Sequence, residues 1–266
     1  NKVHAGEYFF PQGTTPEMLL DKLAKGDVVL YQVTFVEGWT YKQALNALAK
    51  VDAVKLQLAG KTEQEQIALL NIPVTQLEGW IFPDTYSFSR NTSDVEIVQG
   101  AYQKMLSLLN AEWEKRAPDL PYKSSYEALI MASIIERETG HHSERDQIAG
   151  VFVRRLQQGM KLQTDPTVIY GMGERYQGRI RRADLEEATD YNTYVIQGLP
   201  PTPISLPSAA SIRAALNPAP GKALYFVAKG DGTSEFSETL AQHNQAVRRY
   251  QLNRSSDYRS APPPAK

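Results

Sequence analysis

Two glutamates at the end of an apolar segment are the residues best suited to chemistry in this chain. Glu136 and Glu138 close the segment Ala128-Leu-Ile-Met-Ala-Ser-Ile-Ile-Glu-Arg-Glu-Thr139. The segment is apolar on every side of a helix, and such a helix is normally buried in the centre of a domain. A carboxylate in those surroundings is costly unless it is paired, hydrogen-bonded or protonated. Such a pattern is typical of acid–base chemistry.

The spacing of the two glutamates predicts different roles for them. Successive helical residues are rotated by about 100°, so residues two positions apart lie on opposite faces and do not share a proton. Glu138 shares its face with Met131 and Ile134 and lies at the negative end of the helix dipole. Both effects raise the pKa of a carboxyl group, as a general acid working near neutral pH requires. Glu136 is expected to anchor the helix end through Arg145.

A second interpretation needs no chemistry. Both glutamates could project into solvent where the helix ends and form ion pairs with Arg137 or Arg145. The residue types and their spacing leave a general acid and a solvated helix end both open.

Other polar residues stand between apolar ones further along the chain. They can position a sugar, or they can serve the local backbone, as Asp165 would in a capped turn. These candidates for substrate binding or support of the site are Gln163, Asp165, Tyr170, Tyr191 and Asn192.

The composition excludes several classes of site. The chain has no cysteine, which rules out disulfides, thiolate metal sites and a cysteine nucleophile. The net charge of −1 gives no support for nucleic-acid binding. His141, His142 and Glu144 lack the i, i+4 spacing of a zinc-binding helix, and a solvated loop is the better interpretation. We therefore expect no metal and no cofactor.

The elements that would position these residues indicate an α+β fold. Residues 1–72 read as a small α/β module, with strands at 4–10 and 28–36 and helices beginning near residues 14 and 40. Residues 73–254 read as a mixed α+β catalytic domain built around a central buried helix. It ends in a hairpin that turns at Asp231-Gly232 and a last helix around His243. Residues 255–266 are predicted to be disordered.

The start of the chain predicts a longer natural protein. It begins at Asn1 rather than methionine, and no apolar run approaches the ~20 residues that span a bilayer. The lack of an anchor in this sequence therefore says nothing about the natural protein.

Several motifs, taken in order, resemble those of the YceG-like family of endolytic murein transglycosylases. The similarity runs from about residue 5 to about residue 250. The segments that carry it are Glu78-Gly-Trp-Ile-Phe-Pro-Asp-Thr-Tyr86, Ser133-Ile-Ile-Glu-Arg-Glu-Thr139, Glu144-Arg145, Leu162-Gln-Thr-Asp-Pro-Thr-Val-Ile-Tyr-Gly171, Tyr191-Asn-Thr-Tyr194 and Gly198-Leu-Pro-Pro201.

This resemblance implies a bacterial cell-wall enzyme. It implies a single-pass anchor in the inner membrane, a LysM-like module over residues 1–72 that is incomplete at its start, and a catalytic domain in the periplasm. Its partners would be peptidoglycan glycan strands and wall-synthesis enzymes such as penicillin-binding proteins. Family similarity assigns the catalytic role to Glu138, which agrees with the argument from helix faces.

The implied reaction is cleavage of the β-1,4 bond between N-acetylmuramic acid and N-acetylglucosamine, leaving a 1,6-anhydro end on nascent strands. Two alternatives stay open. One is a peptidoglycan hydrolase (a muramidase) that uses Glu138 with a second acid such as Asp165. The other is a peptidoglycan-binding module without catalytic activity.

Overall fold

The computed structural model describes residues 6–138 and 142–252 as a mixed α+β protein. Helices dominate, and the strands form two separate antiparallel pairs. The helices are α1 (Pro16–Lys25), α2 (Tyr41–Leu48), α3 (Glu63–Leu70), α4 (Asp94–Trp113), α5 (Ser125–Glu138), α6 (Arg145–Gln157), α7 (Asp165–Met172), α8 (Arg182–Glu186), α9 (Ala209–Leu216) and α10 (Leu240–Val247). The strands are β1 (Leu30–Thr34), β2 (Thr85–Ser89), β3 (Tyr225–Ala228) and β4 (Ser234–Ser237). The predicted fold class is confirmed at this level.

The first core lies beneath the β1–β2 pair. Leu30 is opposite Ser89 and Thr34 is opposite Thr85 in this antiparallel pair. The buried side chains under it come from α2, α3 and α4 and from the segments between them. Both the strand pair and this core contain residues from before and after the predicted domain boundary at residue 72. The division of the chain at that residue stays a prediction.

The predicted strand at residues 4–10 is wrong where it can be assessed. Residues 4 and 5 lie outside the described residues, and residues 6–10 form no strand. The Val29 N–H donates to the Glu7 carbonyl over 2.7 Å, but β1 then pairs with β2 instead. Alternating apolar residues make a strand only where a neighbouring strand is available, and here β2 takes that place.

Helix α5 is the central buried helix that the sequence predicts. Every side chain from Ala128 to Ile135 is buried, and the helix packs against α4, α6, α7 and α9. Ser133 is fully buried in the middle of the helix, where its hydroxyl donates to the Ile130 carbonyl and accepts from the Ile204 N–H. These contacts fix the C-terminal end of α5 against the segment before α9.

The C-terminal part follows the prediction closely. Strands β3 and β4 pair around the turn at Asp231-Gly232, and α10 carries His243. The predicted tail at 255–266 lies outside the described residues. No helix within residues 6–138 or 142–252 is long and apolar enough to cross a membrane.

Candidate active site

Glu138 is the last residue of α5, and its half-buried side chain lines a cavity. The cavity has a volume of about 340 Å³. Its wall is built from α6, the segment at 162–165, β3 and α10. Besides Glu138, the lining residues include Phe152, Arg155, Leu162, Gln163, Asp165, Tyr194, Tyr225, Phe226, Leu240 and His243.

The surroundings of Glu138 favour its protonated form. Burial raises the pKa of this carboxyl from its ordinary value of 4.5 to about 7. The nearby negative charge of Asp165 also raises the pKa, and a hydrogen bond from the Thr164 hydroxyl to Oε1 lowers it. The predicted direction of the shift is therefore confirmed, with burial as its largest cause. Near neutral pH the group can both donate and accept a proton.

A cluster of buried threonines holds the Thr164 hydroxyl against Glu138. The Thr164 N–H donates to the Thr193 hydroxyl over 3.0 Å, and the Thr167 hydroxyl donates to the Thr164 carbonyl over 2.8 Å. The hydroxyls of Thr167 and Thr193 are themselves 2.8 Å apart. Sequence reasoning missed Thr164 and Thr193, although both stand inside motifs that it singled out. The available signal was that Thr164 stands between Gln163 and Asp165 and that Thr193 directly follows Asn192.

Two of the predicted polar residues do line the Glu138 cavity. Asp165 is the first residue of α7, and its Oδ1 accepts a 2.7 Å hydrogen bond from the Tyr194 hydroxyl. Gln163 has a φ of 53°, and its side-chain Oε1 accepts from Arg155 Nη1 over 3.3 Å. Tyr194 and Arg155 were not among the predicted site residues, and the fold brings both to the cavity.

Arg155 is a structural cation of the cavity wall. Its guanidinium is buried and donates to the carbonyls of Leu162 and Leu224 over 2.9 and 2.7 Å. It also lies 5.0 Å from the centre of the Tyr225 ring. These bonds join α6 to β3 and to the 162–165 segment, so they fix the position of Gln163.

Glu136 lies on the opposite face of α5, as its spacing predicts. Its Oε1 accepts from Arg145 Nη2 over 3.2 Å, and only 6% of the Glu136 side chain is exposed. Its Oε2 accepts from the Ser208 N–H over 2.8 Å and from the Ser208 hydroxyl over 2.5 Å. The predicted pair with Arg145 is confirmed. The alternative in which both glutamates project into solvent is wrong, because neither carboxyl is solvent-exposed.

The other three predicted residues do not line the Glu138 cavity. The Tyr170 hydroxyl donates to Glu78 Oε2 over 3.1 Å, and the Tyr191 hydroxyl lies 2.8 Å from that of Thr202. The Asn192 amide donates to three backbone carbonyls, and its Oδ1 accepts from the Tyr194 N–H over 3.0 Å. Asn192 therefore shapes the backbone that carries Tyr194.

The expectation of no metal stays a prediction. Across residues 6–138 and 142–252, no group of three or more histidine, aspartate or glutamate side chains could hold a metal ion. His141 and the side chain of His142 lie outside the described part of the chain.

Comparison with known proteins shows the family to which this chain belongs. The model of the YceG-like family matches residues 1–249. The chain belongs to the YceG-like family. A solved structure of a YceG-like protein from Listeria monocytogenes is similar, with a TM-score of 0.65 and 32% sequence identity over 86% of this chain and 80% of that one.

Curated relatives of this YceG-like chain carry the name endolytic murein transglycosylase. The Bacillus subtilis protein of that name is 33% identical in an alignment 265 residues long, gaps included. The alignment covers 92% of this chain and 72% of the relative. The Streptococcus pneumoniae D39 protein of that name is 28% identical in an alignment 281 residues long, gaps included, which covers 92% of this chain. The chain spans half the length of that streptococcal relative.

Proposed function

We propose that this protein is an endolytic murein transglycosylase, an enzyme that cleaves the glycan strands of peptidoglycan within their length. The names of its relatives support this activity. The observation that carries it is the Glu138 carboxyl, which lies in a cavity and has a pKa near 7. That value suits a group that must act first as an acid and then as a base.

Glu138 would perform both proton transfers of the reaction. In its protonated form it donates a proton to the glycosidic oxygen while the bond from that oxygen to C1 of N-acetylmuramic acid breaks. N-acetylglucosamine leaves with a hydroxyl at C4. The carboxylate then takes the proton of the muramic C6 hydroxyl as that oxygen attacks C1. The product is a 1,6-anhydro end, no water is consumed, and Glu138 is again protonated.

The Asp165 side chain would contribute a second carboxyl group to the site. It borders the same cavity, so its negative charge can stabilise the positive charge that develops at C1. The Tyr194 hydroxyl, which donates to it over 2.7 Å, would fix the orientation of the carboxylate. Gln163, held by Arg155, would hydrogen-bond a sugar hydroxyl or acetamido group. Glu136 and Arg145 would support the end of α5, and Asn192 the loop of Tyr194.

The hydrolase is the second candidate, because Asp165 borders the cavity together with Glu138. A glycoside hydrolase needs such a second carboxylate, either as nucleophile or as base for water. The two reactions give products that differ by one water, since an anhydro end is lighter than a reducing end.

Product analysis tests the proposal. Purified glycan strands are incubated with the wild-type protein and with Glu138→Gln, and the fragments are weighed by mass spectrometry. We expect anhydro-ended internal fragments from wild type and none from Glu138→Gln. Glu114→Gln, which alters an exposed glutamate just after α4, is the matched control and should cleave like wild type. Reducing ends would favour the hydrolase, and full activity of Glu138→Gln would refute the assignment.

The setting of the enzyme belongs to the same proposal. Its substrate lies outside the cytoplasmic membrane, so the protein acts there. We assign residues 1–72 to a LysM-like module and residues 73–254 to the catalytic domain. An anchor in the inner membrane would keep the catalytic domain in the periplasm close to new strands and to penicillin-binding proteins.

A further inference from the structure

A second cavity, of about 520 Å³, is lined by Arg137, the residue that precedes Glu138; we call it the Glu78 cavity. Its lining residues come from α2, the end of α5, α7 and the segments that contain Glu78 and Ile204. They include Lys42, Glu78, Arg137, Pro166, Ile169 and Tyr170. Arg137 directly precedes Glu138, and Pro166 directly follows Asp165. The same two short chain segments therefore contribute residues to the walls of both cavities.

A buried acceptor lies in the wall of the Glu78 cavity. Only 8% of Glu78 is exposed, and its two oxygens accept from the Tyr41 N–H over 2.9 Å and from the Tyr170 hydroxyl over 3.1 Å. The Gly79 N–H is a third donor to this carboxyl group. A carboxylate has about four acceptor sites, so these three donors leave acceptor capacity. Nothing in the mechanism above uses this carboxyl.

The cavity also offers a cation that has no acidic partner in the described part of the chain. Arg137 is exposed, and its Nη1 donates to the Gly38 carbonyl over 3.2 Å, which places the guanidinium at this wall. Its neighbour Lys42 is already paired with Glu174 over 2.7 Å. Arg137 is therefore the positive group available to a ligand carboxylate.

Part of the remaining wall is apolar, and it lies beside the polar side chains of Thr40, Gln43 and Glu174. Pro166, Ile169 and Ile204 contribute it, and the ring of Tyr170 packs on that of Tyr191 with centres 5.0 Å apart. A ligand that matches this cavity has N–H donors, small apolar side chains and a carboxylate. Those are the properties of a short peptide rather than of a sugar ring.

We propose that the Glu78 cavity binds the peptide stem of the muramic acid unit whose bond is cleaved, with Arg137 pairing with a stem carboxylate. The proposal rests on the function proposed above, because peptidoglycan is the substrate that carries such a branch. The stem is attached to the sugar ring whose bond is cleaved. Arg137, in the wall of the Glu78 cavity, directly precedes Glu138 in the chain. Glu78 would accept from a stem N–H, and the apolar wall would cover methyl groups.

The test compares two substrates, glycan strands that carry peptide stems and strands stripped of them by an amidase. The readout is the ratio of kcat/KM for stem-bearing strands to kcat/KM for stripped strands. We expect a ratio above one for wild type and a ratio about tenfold lower for Arg137→Gln, the loss expected for one charge-assisted hydrogen bond. Arg137→Lys keeps the charge and should restore part of the ratio.

Arg116→Gln is the matched control, because Arg116 lies at the end of α4 over the Trp113 ring and should leave the ratio unchanged. Equal losses on both substrates, or no loss on either, would overturn the stem-binding proposal while leaving the proposed function intact. A wild-type protein that releases no fragments from either substrate would refute the function itself, and the peptide-stem site with it. Thermal unfolding of each variant establishes that it is folded.

Discussion

Replacing Glu138 with glutamine should stabilise the protein at alkaline pH while removing its activity. The wild-type carboxyl is half-buried and has a pKa of about 7, against an ordinary value of 4.5. Because its folded-state pKa is raised, its contribution to stability is fully present at low pH and is lost as the pH rises through 7. Glutamine has a similar shape but no charge, so it does not suffer this loss.

The size of the effect follows from the shift. A change of one pKa unit corresponds to about 1.4 kcal/mol, so the shift of Glu138 corresponds to at most about 3 kcal/mol. This difference develops between the unfolded-state pKa of 4.5 and the folded-state pKa of about 7, and it is complete by about pH 8. Over that range the free energy of unfolding of Glu138→Gln should gain about 3 kcal/mol relative to wild type. A constant offset of about 1 kcal/mol from the buried amide does not change with pH.

Urea unfolding of both proteins at a series of pH values measures this difference. Glu78, whose pKa is also raised to about 7 by burial, titrates in both proteins and cancels in the subtraction. Glu114→Gln, at an exposed position, should differ from wild type by the same small amount at every pH. A pH-independent difference for Glu138→Gln would refute the raised pKa, and with it the physical basis for a general acid at this position.

Two further predictions concern the residues that support the site. Thr164→Val removes the hydroxyl bond that lowers the pKa of Glu138, so the decline of kcat with rising pH, expected near pH 7 in wild type, should move to higher pH; an unmoved pH profile would contradict this role. Glu136→Ala leaves the Arg145 guanidinium buried without its carboxylate, and the free energy of unfolding should fall by about 3 kcal/mol in urea titrations. A loss below about 1 kcal/mol would show that the pair is of little importance.

Local periodicity was enough to predict the central features of the site. The apolar segment predicts a buried helix, and a rotation of about 100° per residue separates Glu136 from Glu138. Both outcomes depend on neighbours within a few residues along the chain. The pair of Glu136 with Arg145 spans nine residues, and it too could be anticipated from the sequence.

Contacts between distant segments could not be predicted in this way. The Tyr170 hydroxyl donates to Glu78, which is 92 residues away in the chain. Tyr170 therefore does not line the Glu138 cavity, where the sugar-binding residues were predicted. Arg155 reaches Leu224 over 69 residues to build the cavity wall. Polar residues between apolar ones give no indication of which side chain across the fold they will meet, so their roles were open.

The two acids of α5 differ in the groups that contact their carboxyl oxygens. Glu136 accepts a charge-assisted hydrogen bond from the Arg145 guanidinium and two hydrogen bonds from Ser208. Glu138 meets one neutral hydroxyl and the negative charge of Asp165. Burial is common to both carboxyls, so burial alone does not make a general acid. Arg155 lies in the wall of the same cavity, but its guanidinium donates to Gln163 and to backbone carbonyls. Within the described residues no cation is paired with Glu138, and this permits a proton to remain there near neutral pH.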